Sequence, residues 1–165
     1  MLADKRNFTV RSLADYVSAL PIGFSFYMGL NVLTYMDRYN ILGFIGLFAS
    51  SLSADIIKRL PYPKSWEFFI LRPKGANNWD MLSRNDYSKK VNPPGFPSGH
   101  MTSAAYFAAY IFYGRKTNKL EKTALLAIVL LTAWARLVKG VHNLPQVLAG
   151  ALLGLIWAAV LLRFN

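Results

Sequence analysis

The chain alternates long apolar stretches with short polar ones, and the lengths of the apolar stretches predict helices that cross a membrane. Residues 16–36, YVSALPIGFSFYMGLNVLTYM, carry no charged side chain. As a helix rising about 1.5 Å per residue they extend roughly 30 Å, the thickness of a bilayer's hydrocarbon core. Pro21 predicts a kink in this span. After a turn at MDRYN, residues 40–57 predict a second span; it holds Asp55, which is tolerated in lipid only where it faces protein. A third span runs from about Ser98 to Tyr113, a fourth covers about residues 120–137, and a fifth residues 144–163. Residues 58–97 break the pattern. They are basic and proline-rich, bounded by KRLPYP and NPPGFP, and predict a long extramembrane loop. Loops of that size without structure are uncommon unless they have a function. Residues 1–15, with Lys5, Arg6 and Arg11 among Leu2, Phe8, Val10 and Leu13, read as an N-terminal tail. The tail is either a short amphipathic piece in the interface or disordered. The apolar run behind it is too long for a cleaved signal peptide and has no small-residue cleavage site. The expected fold is therefore all-α: a polytopic membrane bundle of about five transmembrane helices, forming one domain over residues 1–165. Ser103, Ala104, Gly150 and Gly154 are the small residues expected where helices touch.

Composition agrees. Apolar residues make up 54% of the 165, above the level of an ordinary soluble domain. There is no cysteine, which excludes disulfides and thiolate metal sites. The net charge of +11 comes from 19 Lys and Arg against 8 Asp and Glu. Such a balance suits nucleic acid, anionic headgroups or an anionic substrate. With no soluble basic domain, nucleic acid is set aside, and membrane lipids and a phosphate-bearing substrate remain.

The chain has two histidines. His100 opens the third span and His142 the fifth. Crossings two apart start on the same membrane face, so both imidazoles lie at one interface. The loop 58–97 emerges there, and Arg136 arrives there at the end of the fourth span. An accidental gathering of interfacial polar residues is the alternative. Ser98 and Gly99 sit where a helix begins, with backbone N–H groups expected free for an anion; Gly99 also lets a ligand approach the backbone. Asn143 is a good N-cap, and Pro145 fits the first turn. Gln146 follows His142 by one helical turn and can accept its Nδ1–H, leaving Nε2 as a lone pair aimed at substrate. The competing reading of His142 is an interfacial imidazole satisfied by water.

These residues fall in three motifs that resemble those of the type 2 phosphatidic acid phosphatase superfamily. The second motif, Pro-Ser-Gly-His, is complete as Pro97-Ser98-Gly99-His100. The third, Ser-Arg then His then Asp, is present as ARLVKGVHNLPQ: Arg136 and His142 keep the spacing, Ala135 stands for Ser, and Gln146 for Asp. The first, a Lys followed by Arg-Pro, is present as KSWEFFILRP, with Arg72-Pro73 in place and Lys64 one residue too far away; Lys58 is a second candidate. The resemblance covers about residues 55–155. It implies that His142 is the nucleophile forming a phosphohistidine and that His100 is the general acid. It further implies that Lys64, Arg72 and Arg136, with Ser98 and Gly99, hold the phosphoryl oxygens. It also implies no cofactor and no metal, with arginine doing what Mg²⁺ does elsewhere.

The Gln146-Val147 pair is similar to the family's dolichyl-diphosphatase branch, tilting the substrate toward a polyprenyl diphosphate. A site at bilayer level favours a lipid phosphate or isoprenoid diphosphate over a soluble ester. Two other functions stay open. One is a weakened member that binds lipid phosphate without hydrolysing it; the other is a phosphotransferase that passes the group to an alcohol. An Asp at position 146 is expected to keep or raise activity by restoring charge beside the imidazole. Trp79, in GANNWD, either covers the site or anchors at the interface. Counting Lys and Arg by the positive-inside rule makes the motif face cytoplasmic.

Overall fold

The computed structural model describes residues 10, 12–74, 76 and 94–165. The expectations for Lys5, Arg6, Arg11 and Trp79 lie outside the described residues. Within them the protein is an all-α bundle of six helices: α1 (Leu20–Tyr35), α2 (Arg38–Ile57), the short α3 (Glu67–Ile70), α4 (Gly99–Gly114), α5 (Lys119–Val138) and α6 (Leu144–Leu162). The five long helices fall on the five expected spans. Polar residues set their starts. The Asp37 side chain accepts the Asn40 N–H at the head of α2. Asn118 with Glu121, and Asn143 with Gln146, form capping boxes that begin α5 and α6.

Helical turns already run over residues 12–18, so part of the stretch read as tail is helix. They pass through a turn at Ala19 into α1, giving one apolar run, Ser12–Tyr35. Pro21 sits in the first turn of α1, where its missing N–H costs no hydrogen bond, so the expected kink is instead a break at Ala19. Ser12–Tyr35, α2 and α6 are each long and apolar enough to cross a membrane. Their outward faces carry large exposed apolar side chains such as Phe26, Leu33, Phe48, Leu52, Leu148 and Leu152. That surface suits lipid and makes this a multi-pass membrane protein. α4 is shorter, at 16 residues, and is the bundle's centre: every residue from Met101 to Ile111 is buried.

α6 packs most closely on α4, and two glycines on α6 allow it. A Cβ at Gly150 would stand 2.5 Å from the Ser98 carbonyl, and one at Gly154 would collide with the Thr102 carbonyl. Backbone can therefore rest on backbone, as expected from the small residues. Asp55 does not face the protein interior. It lies exposed in the last turn of α2 and pairs with Lys58 at 2.7 Å, where water and headgroups remove the cost of burying it. The described parts of the 58–97 segment are ordered. A 3₁₀ turn (Lys64–Trp66) leads into α3, and Leu71 bridges antiparallel to Pro94. The Gly95 and Phe96 N–H groups both donate to the Ile70 carbonyl, at 2.7 and 3.2 Å. Both ends of the segment are thereby tied together above α4.

Candidate active site

Five pieces of chain end at the same side of the bundle. α2 delivers Lys58, the Leu71–Pro94 bridge delivers Arg72, and α4 begins with Ser98, Gly99 and His100. α5 closes with Arg136, and His142 stands just before α6. The parity of the crossings thus brings together what the sequence places far apart.

Gln146 organises the centre. It is fully buried. Its Oε1 lies 3.0 Å from His142 Nδ1, so the Nδ1–H donates to it and Nε2 carries the lone pair. Nε2 faces Arg72 Nη1 at 3.4 Å, and the same Nη1 donates to the Val141 carbonyl at 3.0 Å. The amide end of Gln146 donates to the backbone of the first motif: to the Leu71 carbonyl at 2.7 Å and the Phe69 carbonyl at 3.0 Å. One side chain therefore orients the imidazole and anchors the segment that carries Arg72. Gly95 leaves the room for this: a Cβ there would stand 2.6 Å from Gln146 Oε1 and 2.8 Å from Arg72 Cγ.

His142 is only 3% exposed. Burial, and then the Arg72 and Arg136 guanidiniums, hold its pKa well below the ordinary 6.5, with the Gln146 hydrogen bond pulling weakly the other way. The free protein thus keeps this imidazole neutral. With two histidines in the chain, a carbon-detected NMR titration resolves both rings. The His142 resonance is expected to stay flat from pH 7.5 down through 6.5. An unfolded chain takes up a proton near 6.5 that the folded one refuses, so stability falls as pH drops below that value. A His142 resonance titrating at 6.5 or above contradicts this geometry.

Of the two candidate lysines, Lys64 is exposed in the 3₁₀ turn. Lys58 Nζ lies 3.4 Å from where a Cβ of Gly99 would be; burial lowers its pKa against the opposing pull of Asp55, and Arg72 and Arg136 add weakly to the lowering. Lys58 is therefore the lysine within the cationic cluster. The Ser98 N–H is not free as expected. It donates to the Gln146 carbonyl at 3.0 Å, a consequence of α6 lying so close to α4. The Ser98 hydroxyl, by contrast, is buried and has no hydrogen-bond partner among the described residues. His100, half-buried in the first turn of α4, is near enough to His142 to act on it electrostatically. Arg136 is 1% exposed and donates from Nη1 to Ser18 Oγ at 3.1 Å. Neither Ser18 nor Gly95 stood out in the sequence, because nothing in their spacing points at the motifs.

A neutral imidazole, a second histidine and three cationic side chains gather at one end of a membrane bundle, an arrangement suited to an anionic group. The chain belongs to the PAP2 superfamily, whose match spans residues 40–165. No curated protein matches it. Among solved structures, its fold is similar to that of Aquifex aeolicus LpxE. The TM-score is 0.52 and the identity 19%, over 94% of this chain and 93% of that one.

Proposed function

We propose that the protein is an integral-membrane phosphatase that hydrolyses a lipid phosphate or isoprenoid diphosphate through a phosphohistidine. The observation that carries this is the direction of His142: Nδ1–H is held by Gln146, and the Nε2 lone pair faces the cationic cluster. In the first step Nε2 attacks phosphorus, the bond from phosphorus to the leaving oxygen breaks, and that oxygen takes the His100 proton. In the second, water attacks the phosphorus of the phosphohistidine, gives its proton to His100, and the P–N bond breaks to release phosphate. Arg72, Arg136 and Lys58 neutralise the oxygens around phosphorus, and the Ser98 hydroxyl donates to one of them.

An apolar furrow along the membrane-spanning part of α4 suits a hydrocarbon-bearing substrate. α5 and α6 both rest on α4 and barely touch each other. The gap, about 390 Å³, is floored by Ala105 and Ala109 and walled by Leu126, Val129, Ala151 and Leu155. Ala105 lies about 9 Å along α4 from Gly99, and Ala151 about 7.5 Å along α6 from Gln146, at about 1.5 Å per residue. From there the gap runs along α4 toward Phe112, Tyr113 and Lys122 at the other end of the bundle, an apolar surface at the depth of a lipid's hydrocarbon chain. Within this class, the Gln146-Val147 pair favours a polyprenyl diphosphate, and the distribution of Lys and Arg favours a cytoplasmic site.

The test is phosphate release by detergent-purified protein in EDTA, offered phosphatidic acid, farnesyl diphosphate and p-nitrophenyl phosphate. Release from a lipid substrate, faster than from the soluble ester and with an acid-labile phosphoenzyme, is the expected result. Binding without release indicates the weakened binder. Product only with an added alcohol indicates the phosphotransferase. Release that requires a divalent metal overturns the metal-independent route.

A further inference from the structure

Arg136 is held from the other end of the chain. Its Nη1 donates to Ser18 Oγ at 3.1 Å, and that hydroxyl donates its own proton to the Ala14 carbonyl at 2.8 Å. Ser18 is 4% exposed and Ala14 is fully buried. A second contact lies one helical step away on both elements. Lys139, with a side chain only 5% exposed, pairs with Asp15 at 2.6 Å. Asp15 and Ser18 are spaced i, i+3 on the helical turns 12–18, and Arg136 and Lys139 are spaced i, i+3 at the end of α5. The two elements therefore meet at two points along facing stripes. The stripe on the first element precedes residue 40, where the family match begins.

We propose that Ser18 is a positioning residue for Arg136, and that the N-terminal helical turns are a working part of the phosphate site. The inference rests on reading Arg136 as a phosphate ligand. A guanidinium has five N–H donors in a fixed plane. Because the Ser18 proton is committed to the Ala14 carbonyl, its oxygen presents a lone pair to Arg136 in one direction. That fixes the plane of the guanidinium and the edge it turns to the phosphoryl oxygens. A neutral hydroxyl does this without consuming the positive charge, as a carboxylate at the same place would. Ala135, the neighbour of Arg136, carries no hydroxyl, and Ser18 brings one to the guanidinium from far away in the chain.

The test compares wild type, Ser18→Ala and Ser18→Thr as full-length detergent-purified proteins. Three quantities are read: hydrolysis of farnesyl diphosphate and phosphatidic acid, inhibition by inorganic phosphate, and thermal midpoint with and without inorganic phosphate. Ser18→Ala is expected to raise KM and the phosphate inhibition constant about tenfold, the scale of one lost charge-assisted hydrogen bond, with a smaller change in kcat. Ser18→Thr, which keeps the hydroxyl, is expected to stay within about twofold of wild type. If Ser18→Ala lowers the midpoint but leaves KM and phosphate inhibition unchanged, Ser18 is structural only and the inference is overturned. A wild type that hydrolyses neither substrate counts against the phosphatase reading. The shift in midpoint caused by phosphate then still compares Ser18→Ala with wild type, and no difference between them overturns the inference.

Discussion

His142→Ala is expected to abolish phosphate release, by about four powers of ten or more, because a nucleophile removed outright leaves only binding and electrostatics. The variant should still fold. His142 is buried, but its ring contacts are polar, and Gln146 keeps its bonds to the Leu71 and Phe69 carbonyls. The companion variant His100→Ala separates the two imidazoles. A general acid contributes about two to four powers of ten, and chiefly where the leaving oxygen is basic. With a lipid alkoxide as leaving group, His100→Ala should be slow at the first step. With p-nitrophenyl phosphate, whose leaving group needs no proton, that step should be spared. The phosphoenzyme then accumulates, because His100 is also missing as base for the attacking water. The pattern to measure is an initial burst from His100→Ala with p-nitrophenyl phosphate, and no phosphoenzyme from His142→Ala with any substrate. Release by His142→Ala above about one per cent of wild type would remove His142 from the nucleophile's role, since such activity is far above the residue left when a nucleophile is deleted.

What the sequence made legible is what depends on periodicity and parity. Apolar runs of about bilayer length fall on the long helices, and an even number of crossings between His100 and His142 puts them at one end. The His142–Gln146 bond was legible too, because it is a local i, i+4 relation at a capped helix start. What escaped depends on how elements lie against one another. Lys58 rather than Lys64 joins the cluster because the turn at Lys64–Trp66 and α3 intervene between Lys64 and Arg72, a path no residue spacing reveals. The Ser98 N–H is occupied because Gly150 lets α6 come within bonding distance of the α4 N-terminus. Ser18 meets Arg136 across 118 positions of sequence. The local stretch around Ser18 looks like any small polar residue in an apolar helix, so only the packed bundle shows its role.

Gln146→Asp is expected to lower kcat/KM about a hundredfold, the opposite of what charge restoration beside His142 alone predicts. The reversal comes from the amide end. Gln146 Nε2 donates to the Leu71 carbonyl at 2.7 Å and the Phe69 carbonyl at 3.0 Å. Asp has no donor and is one methylene shorter, so both carbonyls lose their partner and a carboxylate faces them instead. Each unsatisfied backbone group costs about 1–3 kcal/mol, and each 1.4 kcal/mol is a factor of ten. The gain from a charged partner to the imidazolium has to offset that loss as well as the burial of a charge at a fully buried position. Leu71 adjoins Arg72, so the damage should reach phosphate affinity: KM rises together with a fall in kcat, whereas a defect confined to orienting His142 would fall on kcat. Gln146→Glu divides the two roles, since it keeps the reach to His142 Nδ1–H and adds charge but removes the donors. It should recover part of the loss in kcat and little of the change in KM. If Gln146→Asp matches or exceeds the wild type, the carbonyl bonds are dispensable, and Gln146 serves the imidazole alone.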